Sequence, residues 1–244
     1  MRRLIKLFSF VILIVFVSGC QKNIEILHDH TAHIIAHRGL WNVKGGVQNS
    51  LASYKAAIDA GLSGAETDVR QTKDGVLVLC HDGTYNDKVI KDSKYSELTG
   101  ITTLEELLEI VKSAPTFKII IEIKRADCSE VVNLIDKIGV SYNQIVFFSF
   151  EKNYCRDLIK MDRGFNVAYL NGDFTPETLK EAGYSGMSYS YSQYYKDKSL
   201  VSRAKNLGLD VYTWTVNKNG TMVDMINMGC DYIISDIPIQ LLYE

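Results

Sequence analysis

The stretch Lys118-Ile119-Ile120-Ile121-Glu122-Ile123-Lys124 decides the fold. Its apolar run is continuous, as expected for a strand covered on both faces. Glu122 and Lys124 lie two positions apart, so both side chains leave the same face at the end of the strand. A buried strand that ends in charge is the signature of a parallel sheet with its chemistry at the C-terminal rim.

The pattern repeats on either side. Strands are expected at His33–Ala36, Ala65–Val69, Lys118–Ile123, Gln144–Ser149, Asn166–Tyr169, Gly186–Tyr189, Asp210–Thr215 and Tyr232–Ile234, with a further short run at Val76–Leu79. Amphipathic stretches fall between them, at Asn49–Ala60, Thr103–Lys112, Ser129–Ile138, Glu151–Met161, Pro176–Ala182, Asp197–Leu207, Thr221–Met228 and Pro238–Leu242. Glu106 stands three residues after Thr103, the spacing of a capping box. Pro176 and Pro238 suit a first helical turn, and Gly61, Gly183, Gly208 and Gly229 suit helix stops. Eight strands alternating with eight helices imply a parallel α/β sheet. A single-domain (β/α)8 TIM barrel is the simplest closure, and a doubly wound open sheet is the alternative.

Composition agrees. Of 244 residues, 46% are hydrophobic and only three are proline, which excludes a disordered or low-complexity chain. The length suits one α/β barrel. A formal charge of −2 argues against a chain built to bind nucleic acid.

The N-terminus reads differently. Arg2, Arg3 and Lys6 precede an apolar run, Leu7 to Val17, and then Ser18-Gly19-Cys20. That run is too short to span a bilayer. A basic start, a short apolar segment and small residues describe an export signal. The segment resembles a bacterial lipoprotein signal, which implies cleavage before Cys20 and lipidation of that cysteine. Residues 1–19 are then the signal, 20–31 a tether and 32–244 the barrel. Losing Arg2, Arg3 and Lys6 takes the formal charge from −2 to −5. The expected location is exported, held to a membrane through the anchor at Cys20, on its periplasmic or cell-surface face. Cys80, Cys128, Cys155 and Cys230 form no CxxC pair, so a zinc site is not expected. They read as buried free thiols, with Cys128–Cys155 pairing as the alternative.

Functional side chains collect at the strand ends. The first strand ends in His37-Arg38, the second in Glu66-Thr67-Asp68, the third in Glu122-Ile123-Lys124, and His81-Asp82 falls between the second and third. Singly, each has a bland reading as a cap, a loop contact or a salt bridge. Jointly, three buried acids on neighbouring strands need a neutralising cation. All-oxygen ligands favour Mg²⁺ or Ca²⁺ over zinc.

These motifs, with Gln48-Asn49-Ser50, Thr72-Lys73-Asp74-Gly75, Trp214-Thr215-Val216-Asn217 and Ser235-Asp236-Ile237-Pro238, resemble the glycerophosphodiester phosphodiesterase family. The resemblance runs from about Ile34 to Pro238. It implies a barrel of the phosphatidylinositol-phospholipase-C-like kind that hydrolyses glycerophosphodiesters to an alcohol and glycerol phosphate with one divalent cation, Ca²⁺ or Mg²⁺. It implies Glu66, Asp68 and Glu122 as metal ligands, His37 and His81 as the acid–base pair, and Arg38 and Lys124 on phosphate oxygens. Trp214 is a candidate substrate contact. Tyr189, Tyr191, Tyr194 and Tyr195 are read either as a packed segment or as a headgroup wall. The chain departs from the family at Gln48, where a glutamate is usual. The segment between Asp82 and Glu122 is also short, which suggests a more open mouth. Two alternatives stand beside the leading one. They are a phospholipase-type enzyme on lyso or intact lipids or glycerophosphate polymers, and a non-catalytic phosphate- or polymer-binding lipoprotein.

Overall fold

The structure, a computed structural model, describes residues 32–238. The signal segment, Cys20 and the tether lie outside the described residues, as does all of the expected terminal helix beyond Pro238. The chain begins with β1 (His33–Ala36), α1 (Leu51–Asp59) and β2 (Gly64–Gln71). Three short strands follow, β3 (Leu77–Leu79), β4 (Thr84–Tyr85) and β5 (Lys88–Val89), and then α2 (Leu104–Lys112). β6 (Lys118–Arg125), α3 (Cys128–Ile138), β7 (Ile145–Ser149), α4 (Lys152–Lys160), β8 (Val167–Tyr169) and α5 (Pro176–Glu181) alternate. The order ends with β9 (Gly186–Ser190), α6 (Tyr191–Lys196), α7 (Ser199–Asn206), β10 (Asp210–Trp214), α8 (Asn219–Met228) and β11 (Tyr232–Ser235).

β1 decides the closure. It pairs in parallel with β11, Ile34 beside Ile233, and also with β2, Ala36 beside Ala65. The ring therefore runs β1-β2-β6-β7-β8-β9-β10-β11 and returns to β1. This is a (β/α)8 barrel, and the open sheet is ruled out because neither end of the series remains an edge. Strand alternation divides the apolar residues into two cores. Ile119, Ile121, Val167 and Val211 face outward and meet the helices. Ile35, Ile120, Val146, Phe148, Ala168, Leu170, Tyr212 and Ile234 face inward. The Tyr212 and Tyr232 rings stack at 4.4 Å, and Phe148 meets Tyr212 edge-on at 5.0 Å. The barrel is thus plugged, and the site must sit above the plug.

Helix ends follow local chemistry. The Thr103 hydroxyl accepts from the Glu106 amide while Glu106 accepts from the Thr103 amide, the reciprocal capping box. Asp127 caps α3, which starts one residue earlier than the sequence suggests. α8 ends at Gly229, whose φ of 95° is costly for any residue with a Cβ. The Tyr191–Lys196 segment forms an additional helix, α6, and the helix expected at Asp197–Leu207 is the shorter α7.

β3 lies outside the ring. β2 continues past the barrel rim, turns at Thr72-Lys73-Asp74-Gly75, and pairs antiparallel with β3, Gln71 beside Leu77 and Val69 beside Leu79. The Thr72 hydroxyl bonds Asp74 at 2.7 Å, and Gly75 supplies the positive φ of 86°. The returning strand reaches the rim again where the Cys80 amide donates to the Asp68 carbonyl at 2.9 Å. This detour places His81 over the mouth.

Candidate active site

The three acids come from two neighbouring strands in register. Asp68 on β2 sits beside Glu122 on β6, and Glu66 lies two residues below on the same inward face. Each carboxylate offers an oxygen, and these oxygens lie within 4.8 Å of one another. All three residues are buried. Burial first, then the charges of Asp68 and Glu122, pushes the Glu66 carboxyl well above the usual carboxylate range. Glu122 is pushed up to about 7, mainly by burial. Such a cluster resists full ionisation unless a cation joins it. One oxygen, Glu66 Oε1, is buried without any hydrogen-bond partner. A set of hard oxygen donors with an orphaned carboxylate oxygen fits a metal ion, so these residues can hold one.

Two cations already lean on the cluster. Lys124 Nζ lies 2.9 Å from Glu122 and 3.4 Å from Asp68. Pairing between β2 and β6 slips after Val69 and Ile123, so Arg70 faces Arg125 and Lys124 is the extra residue of a bulge. Bulges re-aim side chains. Arg38 Nε lies 3.5 Å from Asp68. Its backbone adopts φ 57°, unusual for a residue with a Cβ, and that turn aims its amide at Glu66 Oε2, 3.1 Å away. The next residue must be glycine. Gly39 has φ 82°, and a Cβ there would come within 2.3 Å of Ser53 Oγ.

The histidines are held by acids. His37 Nδ1 lies 2.7 Å from Asp236 Oδ1. A carboxylate accepts only, so Nδ1 carries the proton and Nε2 is left free, 3.9 Å from Glu66. Asn217 locks Asp236 by donating from Nδ2 at 2.7 Å and accepting the Asp236 amide at 3.0 Å. Burial opposes the charge on Asp236, but the His37 and Asn217 hydrogen bonds win and hold it below its usual value. His81 Nδ1 similarly lies 2.8 Å from Asp82 Oδ1, at a wetter position with 40% of its side chain exposed. Arg70 fixes the His81 peptide, donating from Nη2 to the His81 carbonyl at 2.6 Å.

His37, Arg38, Glu66, His81, Glu122 and Lys124 share one cavity of about 130 Å³ at the barrel mouth. Its other wall is apolar: Phe148, Phe150, Leu170, Trp214 and Ile234. Trp214 spends its indole N–H on the Ser188 carbonyl at 3.0 Å, so it presents ring surface, edge-to-face with Phe150. Asp68 sits just beneath, held by Asn49 Nδ2 at 3.0 Å.

The structure also corrects and adds. The tyrosine-rich segment does not line this cavity. Tyr189 and Tyr194 are buried, their hydroxyls donating to the Phe174 and Tyr212 carbonyls, and Tyr195 donates to Asp224. All four described cysteines are free thiols, with Cys128, Cys155 and Cys230 buried. Gln48 touches no acid of the cluster; its Oε1 accepts from Arg38 Nη1 at 2.8 Å. Asn217, Asp236 and Asn49 were unassigned by sequence reasoning, although all three lie in the quoted motifs. Asn49 Oδ1 accepts from both the Tyr54 and Thr67 hydroxyls, so α1 and β2 jointly set the Asp68 carboxylate.

Comparison with known proteins follows the same lines. A glycerophosphodiester phosphodiesterase of Caldanaerobacter subterraneus is 29% identical over 236 residues, covering 86% of this chain and 96% of that protein. The crystal structure of a glycerophosphodiester phosphodiesterase from Parabacteroides distasonis is 31% identical with a TM-score of 0.84, covering 87% and 96%. A phosphodiesterase of Oleispira antarctica, crystallised with the product sn-glycerol-3-phosphate, shares the fold at 22% identity, with a TM-score of 0.76 and coverage of 87% and 96%. The model of the glycerophosphoryl diester phosphodiesterase family matches residues 37–240. The match spans every residue of the barrel mouth described above, and the chain belongs to the glycerophosphoryl diester phosphodiesterase family.

Proposed function

We propose that this chain is an enzyme that hydrolyses glycerophosphodiesters to an alcohol and glycerol 3-phosphate. One observation carries the reading: two acid-oriented histidines, two cations and the carboxylates of Glu66 and Glu122 meet in a single cavity, with the Asp68 carboxylate clustered just beneath. Binding alone would not require an acid–base pair. The family membership and the product held by the Oleispira neighbour agree with it.

Glu66, Asp68 and Glu122 would hold one divalent cation, Ca²⁺ or Mg²⁺. When bound there, the cation supplies positive charge against the charge that builds on the phosphoryl oxygens. Arg38 and Lys124 add to it, and Arg38 keeps Nη2 without a protein acceptor among the described residues. His37 is the base. Its free Nε2 faces the acid cluster, and Asp236 steadies the imidazolium formed when His37 takes a proton from the attacking hydroxyl. That hydroxyl is water or the substrate's own glycerol hydroxyl, in which case water then opens the cyclic phosphodiester to glycerol 3-phosphate. His81 is the acid, giving its proton to the leaving alkoxide at the solvent side of the mouth. Trp214 and Phe150 offer ring faces to the glycerol carbons.

The N-terminal reading completes the proposal. Residues 1–19 act as an export signal, Cys20 carries the lipid, 20–31 form the tether and 32–244 the catalytic barrel, tethered to a bacterial membrane. The basic start, the short apolar run and Ser18-Gly19-Cys20 support it.

The test is hydrolysis of glycerophosphocholine and glycerophosphoethanolamine by the chain from Gln21 onward, with Ca²⁺, Mg²⁺ or EDTA. Glycerol phosphate released only with metal, and lost in His37→Ala, is the expected result. A folded protein with no turnover under any of these conditions shifts the reading to acylated or polymeric substrates. Labelling with a radioactive fatty acid, compared with Cys20→Ser, tests the anchor.

A further inference from the structure

The slip between β2 and β6 sets Arg70 directly beside Arg125. Like charges at paired positions on neighbouring strands repel. Both arginines line the same two cavities, of about 330 Å³ and about 150 Å³. Lys124 lines the first and also the catalytic cavity, so the groove adjoins the active site. Lys91 lines the second, paired with its neighbour Asp92. Glu151 is the one carboxylate lining either cavity.

The cations are only partly satisfied. Arg70 spends Nε and Nη2 on the Cys80 and His81 carbonyls, and Nη1 faces Gly83, where no side chain fills the space. The Arg125 side chain is exposed and makes no hydrogen bond or ion pair among the described residues. Two adjacent guanidinium groups with free donors, beside a lysine, are suited to bidentate binding of a phosphate.

The groove also has a side. Arg70 grips the peptide of His81, the residue assigned to protonate the leaving alcohol. We propose that the Arg70–Arg125 groove holds a second phosphate carried on the leaving alcohol, so that diesters with a phosphorylated alcohol are preferred. This rests on the phosphodiesterase reading above and names the substrate class for it.

The test compares kcat/KM for two substrates with metal-supplemented full chain. One is glycerophosphoglycerol; the other carries a further glycerophosphate on its leaving glycerol. A preference of about tenfold for the second is expected in about 0.02 M salt, shrinking to about twofold in about 0.5 M salt as screening sets in. Arg125→Gln lowers the preference about fivefold, and Arg125→Lys, which keeps the charge but not the bidentate fork, restores only part of it. Arg125 is the position to change because Arg70 also holds His81. Equal kcat/KM for the two substrates, or a preference unchanged by Arg125→Gln, overturns the proposal. If wild type turns over neither substrate, the phosphodiesterase reading fails, and calorimetry decides the groove. Glycerol 1,3-bisphosphate binding more tightly than glycerol 3-phosphate, with the difference lost in Arg125→Gln, supports it; equal binding overturns it.

Discussion

The two walls of the mouth are made from the same kind of strand end and do opposite work. On one side β1, β2 and β6 end in His37, Glu66, Asp68, Glu122 and Lys124. On the other, β7, β8, β10 and β11 end among Phe148, Leu170, Trp214 and Ile234. The apolar wall continues into the inner core and stabilises the barrel by burial. The charged wall does not. Its acids are buried close together, and the raised pKa values of Glu66 and Glu122 record the cost. Stability and chemistry are therefore segregated across one cavity about a side chain or two wide.

Breaking the charged wall at its base gives the largest effect. His37→Ala lowers kcat by about 10³-fold, in the range for loss of a general base, with little change in melting temperature. Asp236→Asn reproduces part of that loss. Steady-state kinetics beside circular dichroism checks both, and a folded His37→Ala with wild-type kcat would refute the assignment.

Breaking the apolar wall should show the reverse. Phe148→Ala costs about 3–5 kcal/mol of stability, because its ring packs on Tyr212 inside the barrel. Urea denaturation at pH 7 measures this. A cost below about 1 kcal/mol would mean that the inner core collapses around the gap.

The third prediction uses pH to separate the walls. The folded state holds the Glu122 proton more tightly than the unfolded chain does, since its pKa rises to about 7. That contribution is present below the ordinary carboxylate pKa of about 4.3 and is lost as pH climbs through about 7. In EDTA, the melting temperature should fall over this window. Added Ca²⁺ or Mg²⁺ should raise it most at the high end, because binding releases protons. Glu122→Gln should flatten the EDTA profile, and an unchanged slope in that variant would exclude Glu122 as the cause.

The smallest effect is expected at Gln48. Its contact is with Arg38, so Gln48→Glu should change KM by about threefold or less and leave half-saturating metal unchanged. A large shift in metal dependence would place position 48 in the acid cluster's electrostatics after all.

The sequence makes some of these relations legible and hides others for physical reasons. Strand period two puts Glu66 with Asp68 and Glu122 with Lys124, and continuous apolar runs require covered parallel strands. The barrel, its rim and the convergence of acids follow from that. The His37–Asp236 bond joins residues 199 positions apart, and no local pattern carries it. The bulge at Lys124 is a matter of register between two strands, which one strand's residues do not encode. The tyrosine-rich segment stays ambiguous in the sequence, packed or lining, because its rings have polar ends. Tyr189 and Tyr194 satisfy those ends on backbone carbonyls and so remain buried.

The detour through β3 has an evolutionary consequence. The proposed acid, His81, is delivered by a hairpin arm that is not a stave of the barrel, while the proposed base, His37, follows β1, which is. Between Cys80 and Thr103 the chain makes a small two-stranded ribbon, two single-turn 3-10 helices and short turns. Insertions or deletions there can remodel the leaving-group side without opening a hydrogen bond of the closed ring. With the roles proposed for the two histidines, the fold fixes how the reaction begins and leaves natural selection free to tinker with what departs.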